Sequence, residues 1–485
     1  MTMHAGDPPR FGMWRILWVL MVAEVVSGFE TSMIYAGLPA WMRLYGNPLG
    51  VGWIVTSYLL VSASAAALCG RLGDLYGRKR VLLVVLGAAA IGSAISAAGP
   101  SLGWVIAGRS LQGLAGGAII PLCYGLSKEH IASEKVATAI GFIVATASAA
   151  TGLGVLAGGI LTDRLGPQSI FTFSAAIAAL TFAIVWQMLP ASPVERRSRR
   201  IDWIGGLLFA PGIAALLVVA SQGKDWGWAA PLTLALGAGG LIVLALWVWH
   251  ELRQADPLID VRLLADRRCA LANLVMASAG IGVMQFTQLT SLLLQQSPAT
   301  GVGLGTSATF VGLLKFPALA AGVLGSLIAG WACGRFGGRT PMAIGCALMT
   351  AAAAIGALNH GSIAIIITAI VIGMFGVTAA YTAVPAVIVA ASPPDRTSEA
   401  TGMMAVVRSL TQAIGAQVLT VLLAYSAVRG PDGRPAPTDS GYTAVFWFMA
   451  LVSALGIGFS LALGGRARRA AAAVPIEAAA ITPPA

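Results

Sequence analysis

Gly70-Arg-Leu-Gly-Asp-Leu-Tyr-Gly-Arg-Lys-Arg80 is a charged, glycine-punctuated turn between two long apolar runs. One acid and four bases within eleven residues do not belong inside a bilayer core, so the stretch reads as a tight water-facing loop joining two spans. Gly77 permits the turn, because a residue without Cβ reaches positive φ at no steric cost. Asp74 is placed to meet a helix N-terminus, whose free N–H groups favour an anion. Asp74 and Arg78, four residues apart, can also pair with each other or with Glu129. The alternative is a solvated loop that only sets topology.

The rest of the chain agrees with a membrane reading. Its 485 residues are 57% hydrophobic and only 10% charged, with a mean hydropathy of +0.83, whereas soluble domains are about a quarter charged. Fourteen apolar runs, each about the 18 residues or more that a span needs, lie between positions 14 and 464. The formal net charge of +11 does not mark a nucleic-acid binder, because the bases sit in short loops rather than on one face. Of the 30 Lys and Arg, 22 fall in loops on one side, 5 on the other, and Arg109, Lys315 and Arg408 inside helices. The side rich in bases is the cytoplasmic one. The expected fold class is therefore an all-α polytopic membrane protein with both termini cytoplasmic. The expected bounds are a cytoplasmic N-terminus over 1–13, a six-helix bundle over 14–190, a linker with two inserted helices over 191–268, a second six-helix bundle over 269–464 and a disordered tail over 465–485. The first apolar run is too long for a signal peptide and carries Glu24 and Glu30. Arg-dominated base usage in an Ala- and Gly-rich chain suggests a bacterial inner membrane.

An internal repeat supports the two bundles. Gly330-Trp-Ala-Cys-Gly-Arg-Phe-Gly-Gly-Arg339 repeats Gly70 and Gly77 as Gly330 and Gly337, with Gly334 where the first copy has Asp74. Gly141 and Gly154 are matched in the same way by Gly402 and Gly415. Such symmetry is common in transporters, with the substrate path between the halves.

Four stretches resemble the fourteen-span branch of the drug:proton antiporters in the major facilitator superfamily. The first helix has Phe29-Glu-Thr-Ser-Met-Ile-Tyr-Ala-Gly-Leu-Pro39, with Glu30 where that branch normally carries Asp. The loop from Gly70 to Arg80 is similar to the superfamily's cytoplasmic loop motif. Arg109-Ser-Leu-Gln-Gly-Leu-Ala-Gly-Gly117 resembles its intramembrane arginine motif. Gly152-Leu-Gly-Val-Leu-Ala-Gly-Gly159 resembles its antiporter motif, with Val155 where a proline is usual. The resemblance implies alternating access, export of lipophilic small molecules against an inward proton flux, and gating by Gly70, Asp74, Gly77, Arg78 and Glu129. It suggests the start of the thirteenth helix, near Thr397-Ser398, as the partner of Asp74. Export of an endogenous metabolite or lipid on the same scaffold is the alternative. A monomer with no cofactor, powered by the proton gradient, is expected.

The buried charges carry the chemistry. Glu24 and Glu30 lie deep in one helix, about 9 Å apart along its axis and about 120° around it, so they do not face one point. Each charge at mid-bilayer costs about 2.5–3.5 kcal/mol even on the lenient insertion scale. Removal from water favours the neutral form of a carboxyl group, which suits an acid that takes up and releases a proton. Glu30 holds the motif position, and Arg109 lies within about 5 Å of it in depth, so a pair is feasible. A fixed structural ion pair is the alternative for Glu30, and bundle packing the alternative for Glu24. Lys315 stands two residues before Pro317 in the tenth expected helix; it either lines the cavity, where it opposes a purely cationic substrate range, or snorkels to the surface. Arg408 reads as a partner for helix-end carbonyls or for the gate. Small residues at Gly152, Gly154, Gly158 and Gly159 permit close helix approach. Cys69, Cys123, Cys269, Cys333 and Cys346 have no metal-ligand spacing, and His4, His130, His250 and His360 are scattered. Neither a P-loop nor a nucleophile elbow is present, so the expectation is a transporter and not an enzyme.

Overall fold

The computed structural model describes residues 12–192, 203–254, 261–391, 397–430 and 435–463; side chains at a few helical positions, Asp74 among them, are outside the described set, as is Gly70. The chain is almost wholly helical. Helices α1 (Met13–Tyr45), α2 (Pro48–Tyr76), α3 (Arg78–Ala98), α4 (Leu102–His130), α5 (Ser133–Leu165) and α6 (Ser169–Met188) pack into one bundle. Helices α7 (Trp203–Trp226) and α8 (Pro231–Arg253) pair with each other. The second bundle comprises α9 (Arg267–Ile281), α10 (Phe286–Gln295), α11 (Ala308–Leu314), α12 (Phe316–Phe336), α13 (Arg339–Leu358), α14 (Ile363–Ala391), α15 (Thr397–Ser426) and α16 (Asp439–Ala462). A two-residue antiparallel pair, Val428–Arg429 with Pro435–Ala436, precedes α16.

Thirteen helical segments of the described residues are long and apolar enough to cross a membrane. The seventh expected span corresponds to α7, whose apolar part among the described residues is the shorter Leu208–Gly223.

Two expected helices are interrupted. The ninth breaks at Gly282, with φ −88° and ψ −111°, and resumes through a tight turn at Val283–Gln285 into α10. The tenth breaks at Lys315, between α11 and α12. Pro317 in the first turn of α12 has no N–H to donate and its ring clashes with the carbonyl four residues back, which ends α11. The Lys315 amide turns to Gly312 O, at 3.2 Å, instead.

The two copies of the repeated turn share their geometry. Gly77 has φ +92° and Gly337 φ +77°. Each amide donates to the carbonyl four residues back, Gly73 and Cys333 respectively, at 2.9 and 3.0 Å. These turns, with Arg78, Lys79, Arg80, Arg335 and Arg339, mark one end of the molecule, the basic end; α1, α5, α15 and the broken span α9–α10 run from it to the far end.

Packing inside the first bundle rests on small residues, which let backbones approach where lipid supplies no hydrophobic drive between helices. A Cβ at Gly113 of α4 would lie 2.5 Å from Tyr58 O of α2, and one at Gly117 2.9 Å from Ala66 N. On one flank α7 and α8 lean against the junction of α2 and α15: Phe209 and Trp247 pack with Ala63, Met403 and Val406, and Trp53 Nε1 donates to Ser221 Oγ at 3.4 Å.

Candidate functional site

Close packing of α4 on α2 delivers Arg109 into the first bundle, where it is 2% exposed. Its Nε donates to Ile54 O at 3.0 Å, and its Nη1 donates to Glu30 O and to Gln112 Oε1, each at 2.9 Å. The guanidinium lies 4.1 Å from the centre of the Tyr58 ring, a cation–π placement. Arg109 thus braces α1, α2 and α4. It binds the backbone carbonyl of Glu30, so the carboxylate pair expected from depth is not formed.

The Glu30 carboxyl points toward α3, away from the opposite bundle. Ser93 Oγ lies 3.5 Å from Oε1. That hydroxyl has one hydrogen, and Ala89 O, at 2.7 Å, is the closer acceptor. Ser93 in turn accepts from Gln112 Nε2. Glu30 Oε2 is buried without a hydrogen-bond partner.

Glu24 belongs to a different environment. It is 1% exposed and its Oε2 is likewise unpartnered. Arg408 of α15, in the opposite bundle, is within electrostatic reach of it. Arg408 also acts on Tyr124 of α4 and Tyr381 of α14, and Gln412 Nε2 lies 3.5 Å from the Tyr381 hydroxyl. Tyr124, within electrostatic reach of both Glu24 and Arg408, carried no signal in the sequence, because only the fold sets α4 and α15 beside this part of α1.

Lys315 stays in the second bundle. Its Nζ donates to Thr287 O at 3.0 Å and approaches Ser291 Oγ at 3.4 Å, and the residue is 7% exposed. It therefore does not snorkel, and it closes no ion pair with Glu24 or Glu30.

The antiporter-like stretch of α5 has two faces. Gly154 and Gly158 press on α1: a Cβ at Gly154 would lie 3.3 Å from Phe29 Cα, and one at Gly158 2.7 Å from Met33 Cα. Gly152 and Gly159 press on the opposite bundle, at 3.0 Å from Leu319 Cδ2 and 2.6 Å from the Ala308 carbonyl carbon. Val155 is buried with Ala36 and Ala308. One turn beyond Gly159, Asp163 accepts from the amides of Ala308 and Thr309, at 3.2 and 2.7 Å, at the start of α11. An acid in the last turn of a helix is unfavourable to that helix's own dipole. That misplacement is the sequence signal by which Asp163 was there to be found. Gln295 Nε2 adds a bond to Ala36 O at 2.9 Å, and Thr56 Oγ1 one to Gln417 Oε1 at 3.0 Å. These contacts between bundles lie toward the far end.

At the basic end Arg78 Nη1 meets Glu129 Oε1 at 2.6 Å and Gly125 O at 3.3 Å. Lys79 Nζ donates to Trp186 O at 2.9 Å and to Leu189 O, satisfying carbonyls at the end of α6. The expected roles of Gly70 and Asp74, and the partner expected at Thr397-Ser398, turn on surroundings that lie outside the described set, although the helices that carry them are described. Among the described residues no cluster of His, Cys, Asp and Glu could hold a metal ion.

The sequence pattern of the Major Facilitator Superfamily matches residues 20–203 and 274–483. The chain is 31% identical over 398 residues to a "Multidrug resistance protein Stp" of Mycobacterium tuberculosis (strain CDC 1551 / Oshkosh), covering 81% of this chain and 73% of that protein. It is 31% identical over 346 residues to a "Probable actinorhodin transporter" of Streptomyces coelicolor, covering 69% and 58% respectively. Among solved structures it is similar to the xylose transporter XylE from E. coli in a partially occluded inward open conformation, with a TM-score of 0.61, 13% identity, and 93% and 97% of the two chains covered.

Proposed function

The chain belongs to the Major Facilitator Superfamily, and from that premise we propose that this efflux transporter is a proton-coupled antiporter of lipophilic small molecules, working by alternating access from a bacterial inner membrane with both termini cytoplasmic. Its relatives' names, multidrug resistance protein and probable actinorhodin transporter, support small-molecule export. The second name favours a dedicated exporter of one endogenous product as the alternative. The observation that carries proton coupling is the Glu30 carboxyl: buried inside the first bundle, with one free oxygen, beside an arginine that is already committed to carbonyls. Such an acid can be protonated and discharged without the substrate touching it. Arg109 supplies the fixed field; Ser93 and Gln112 supply a polar lead.

Gating follows from the positions of the interbundle contacts. The seal of Gly159, Asp163 and Gln295 at the far end supports an inward-facing state, in which the basic end is the cytoplasmic one. Gly77, Arg78 and Glu129 form the described part of the cytoplasmic gate, with Gly70 and Asp74 assigned to it from the motif. Fourteen spans, with α7 as the seventh, and a monomeric unit complete the reading.

The test is uphill efflux of a lipophilic dye from cells lacking other pumps, with and without an uncoupler. Glu30→Gln keeps the volume and removes the titration. It is expected to abolish uncoupler-sensitive efflux while leaving expression, folding and downhill dye exchange intact. Wild-type uphill rates in the Gln variant would remove Glu30 as the coupling site.

A further inference from the structure

The far halves of the two broken spans are joined into one piece. Helix α10 follows the break at Gly282, and α11 ends at the break at Lys315. At the tip, Thr306 N and Oγ1 donate to Leu294 O, at 2.8 and 2.9 Å. At the base, Lys315 Nζ donates to Thr287 O at 3.0 Å and lies 3.4 Å from Ser291 Oγ. Thr287 is the second residue of α10 and Lys315 the first after α11, so this bond connects one break to the other. The carbonyl does not need the ammonium, because Ser291 Oγ already donates to it at 2.7 Å. Burying an ammonium on neutral partners costs free energy. What it secures here is the union of two helices of 10 and 7 residues, each too short to hold its shape alone.

The halves of the tenth expected span are seated on different bundles. Helix α12 packs on α14 of its own bundle, where a Cβ at Gly325 would lie 3.1 Å from Phe375 Cα. Helix α11 packs on α5 of the first bundle: a Cβ at Gly312 would lie 2.5 Å from Leu156 Cα, and Asp163 accepts from the amides of Ala308 and Thr309. Toward its own bundle the piece is held in part by long amide side chains. Gln288 Nε2 donates to Thr420 Oγ1 at 3.2 Å, Gln296 Nε2 donates to Pro437 O at 2.9 Å, and Gln296 Oε1 accepts from the Tyr442 hydroxyl at 2.7 Å.

We propose that Lys315 and Asp163 are positioning residues for outward opening: Lys315 makes α10 and α11 a single gate that bends at the two breaks, and Asp163 latches that gate to α5. The proposal rests on the alternating-access reading of the exporter and assigns the moving part at its far end. Opening then takes the gate off α5 by a tilt about the line from Gly282 to Lys315, while α12 keeps its seat on α14. Long amide side chains follow such a tilt. The close backbone contacts with α5 and the two bonds to Asp163 do not, so they are what opening breaks.

The experiment reads distances by double electron–electron resonance in the full-length protein in nanodiscs, from spin labels on a background without the five native cysteines. Labels at Trp104 and Leu358 span the two bundles at the far end; labels at Leu313 and Leu358 lie within the second bundle, on α11 and α13. All three positions are exposed. Asp163→Asn keeps the shape and exchanges charge-assisted bonds for neutral ones, about half as strong. The open-to-closed ratio from the first pair should rise about tenfold, and the second pair should gain a second distance in the same proportion. A second pair that keeps one distance while the first opens would show the bundles rocking as rigid bodies and overturn the gate; an unmoved first pair would overturn the latch. Lys315→Met keeps the length, drops the ammonium and leaves no carbonyl unmet. It should broaden the distances of the second pair and slow dye efflux severalfold, with dye affinity and melting temperature unchanged. Lys315→Arg, which keeps a donor for Thr287 O, should restore both. A Met variant like the wild type in distance and turnover, or one whose turnover merely tracks a lower melting temperature, would overturn the role of Lys315. Dye efflux separates this from the exporter reading: uncoupler-sensitive uphill efflux with a rigid second pair sinks only the gate, whereas a moving gate without uphill efflux in the wild type sinks only the exporter reading.

Discussion

Adding one methyl group at Gly159 should change how often the transporter opens at its far end, while the same methyl at its neighbour Gly158 should not. A Cβ at Gly159 would stand 2.6 Å from the Ala308 carbonyl carbon and 2.8 Å from Thr309 Cα, both backbone atoms of the opposite bundle. Backbone cannot rotate away as a side chain does, so the bundles must separate there. Overpacking of this kind costs about 1–3 kcal/mol. The penalty applies only while the far end is closed, so Gly159→Ala shifts the closed-to-open ratio by about 5- to 150-fold. A Cβ at Gly158 meets Met33 Cα at 2.7 Å, within its own bundle. That contact persists in both access states, so Gly158→Ala lowers thermal stability and leaves the ratio alone. Spin labels at the exposed positions Leu165 and Ala299, in a background without the five native cysteines, report the far-end distance by double electron–electron resonance. An unchanged distance distribution in Gly159→Ala, or the same shift in Gly158→Ala, would refute the assignment of the two glycine faces.

Two further outcomes are expected. Arg109→Lys keeps the charge but loses the planar fork that reaches Ile54 O, Glu30 O and Gln112 together; with about 1–3 kcal/mol at stake for each buried acceptor left unmet, the melting temperature of the purified protein falls and Glu30-dependent efflux is lost with it. Arg78→Ala and Glu129→Ala, combined in a double-mutant cycle on transport turnover, should be non-additive by about 0.2–1 kcal/mol, since the pair is partly exposed; strict additivity would leave the turn without a gating role.

The turn that opened the reading was legible because its chemistry is local. Positive φ at Gly77 and again at Gly337 needs no partner to be expected, and apolar runs of span length show themselves one at a time. The breaks at Gly282 and Lys315 were less visible; Pro317 signalled one of them, and apolar composition continued straight through both. Depth was also legible. Counting residues along α1 and α4 placed Glu30 and Arg109 near the same level, and the structure has them adjacent. What counting cannot supply is rotation. Whether the guanidinium meets the carboxylate or the carbonyl of Glu30, and which of Glu24 and Glu30 faces the other bundle, depends on how α1 is turned by its neighbours. Those neighbours include Gly154 and Gly158 from more than a hundred residues away. Lys315 is a similar case: its partner Thr287 O is a backbone atom, which leaves no trace in residue identity.

The inserted pair α7 and α8 gives the molecule a spine. Phe209 and Trp247 lie against Ala63 of one bundle and Met403 and Val406 of the other, so on that flank the two bundles are bound together like the boards of a book. A book opens away from its binding. On the other flank α5 meets α11 and α12 directly, Gly159 against the Ala308 backbone and Gly152 against Leu319, with no inserted pair across the contact. If the bundles rock as proposed, the two sides of the protein are unequal to the surrounding lipid: the braced flank keeps a fixed strip of apolar surface, and the unbraced one changes width. A bilayer that squeezes its proteins sideways would therefore act on this transporter as a one-sided spring, set by the insertion and not by the repeated bundles.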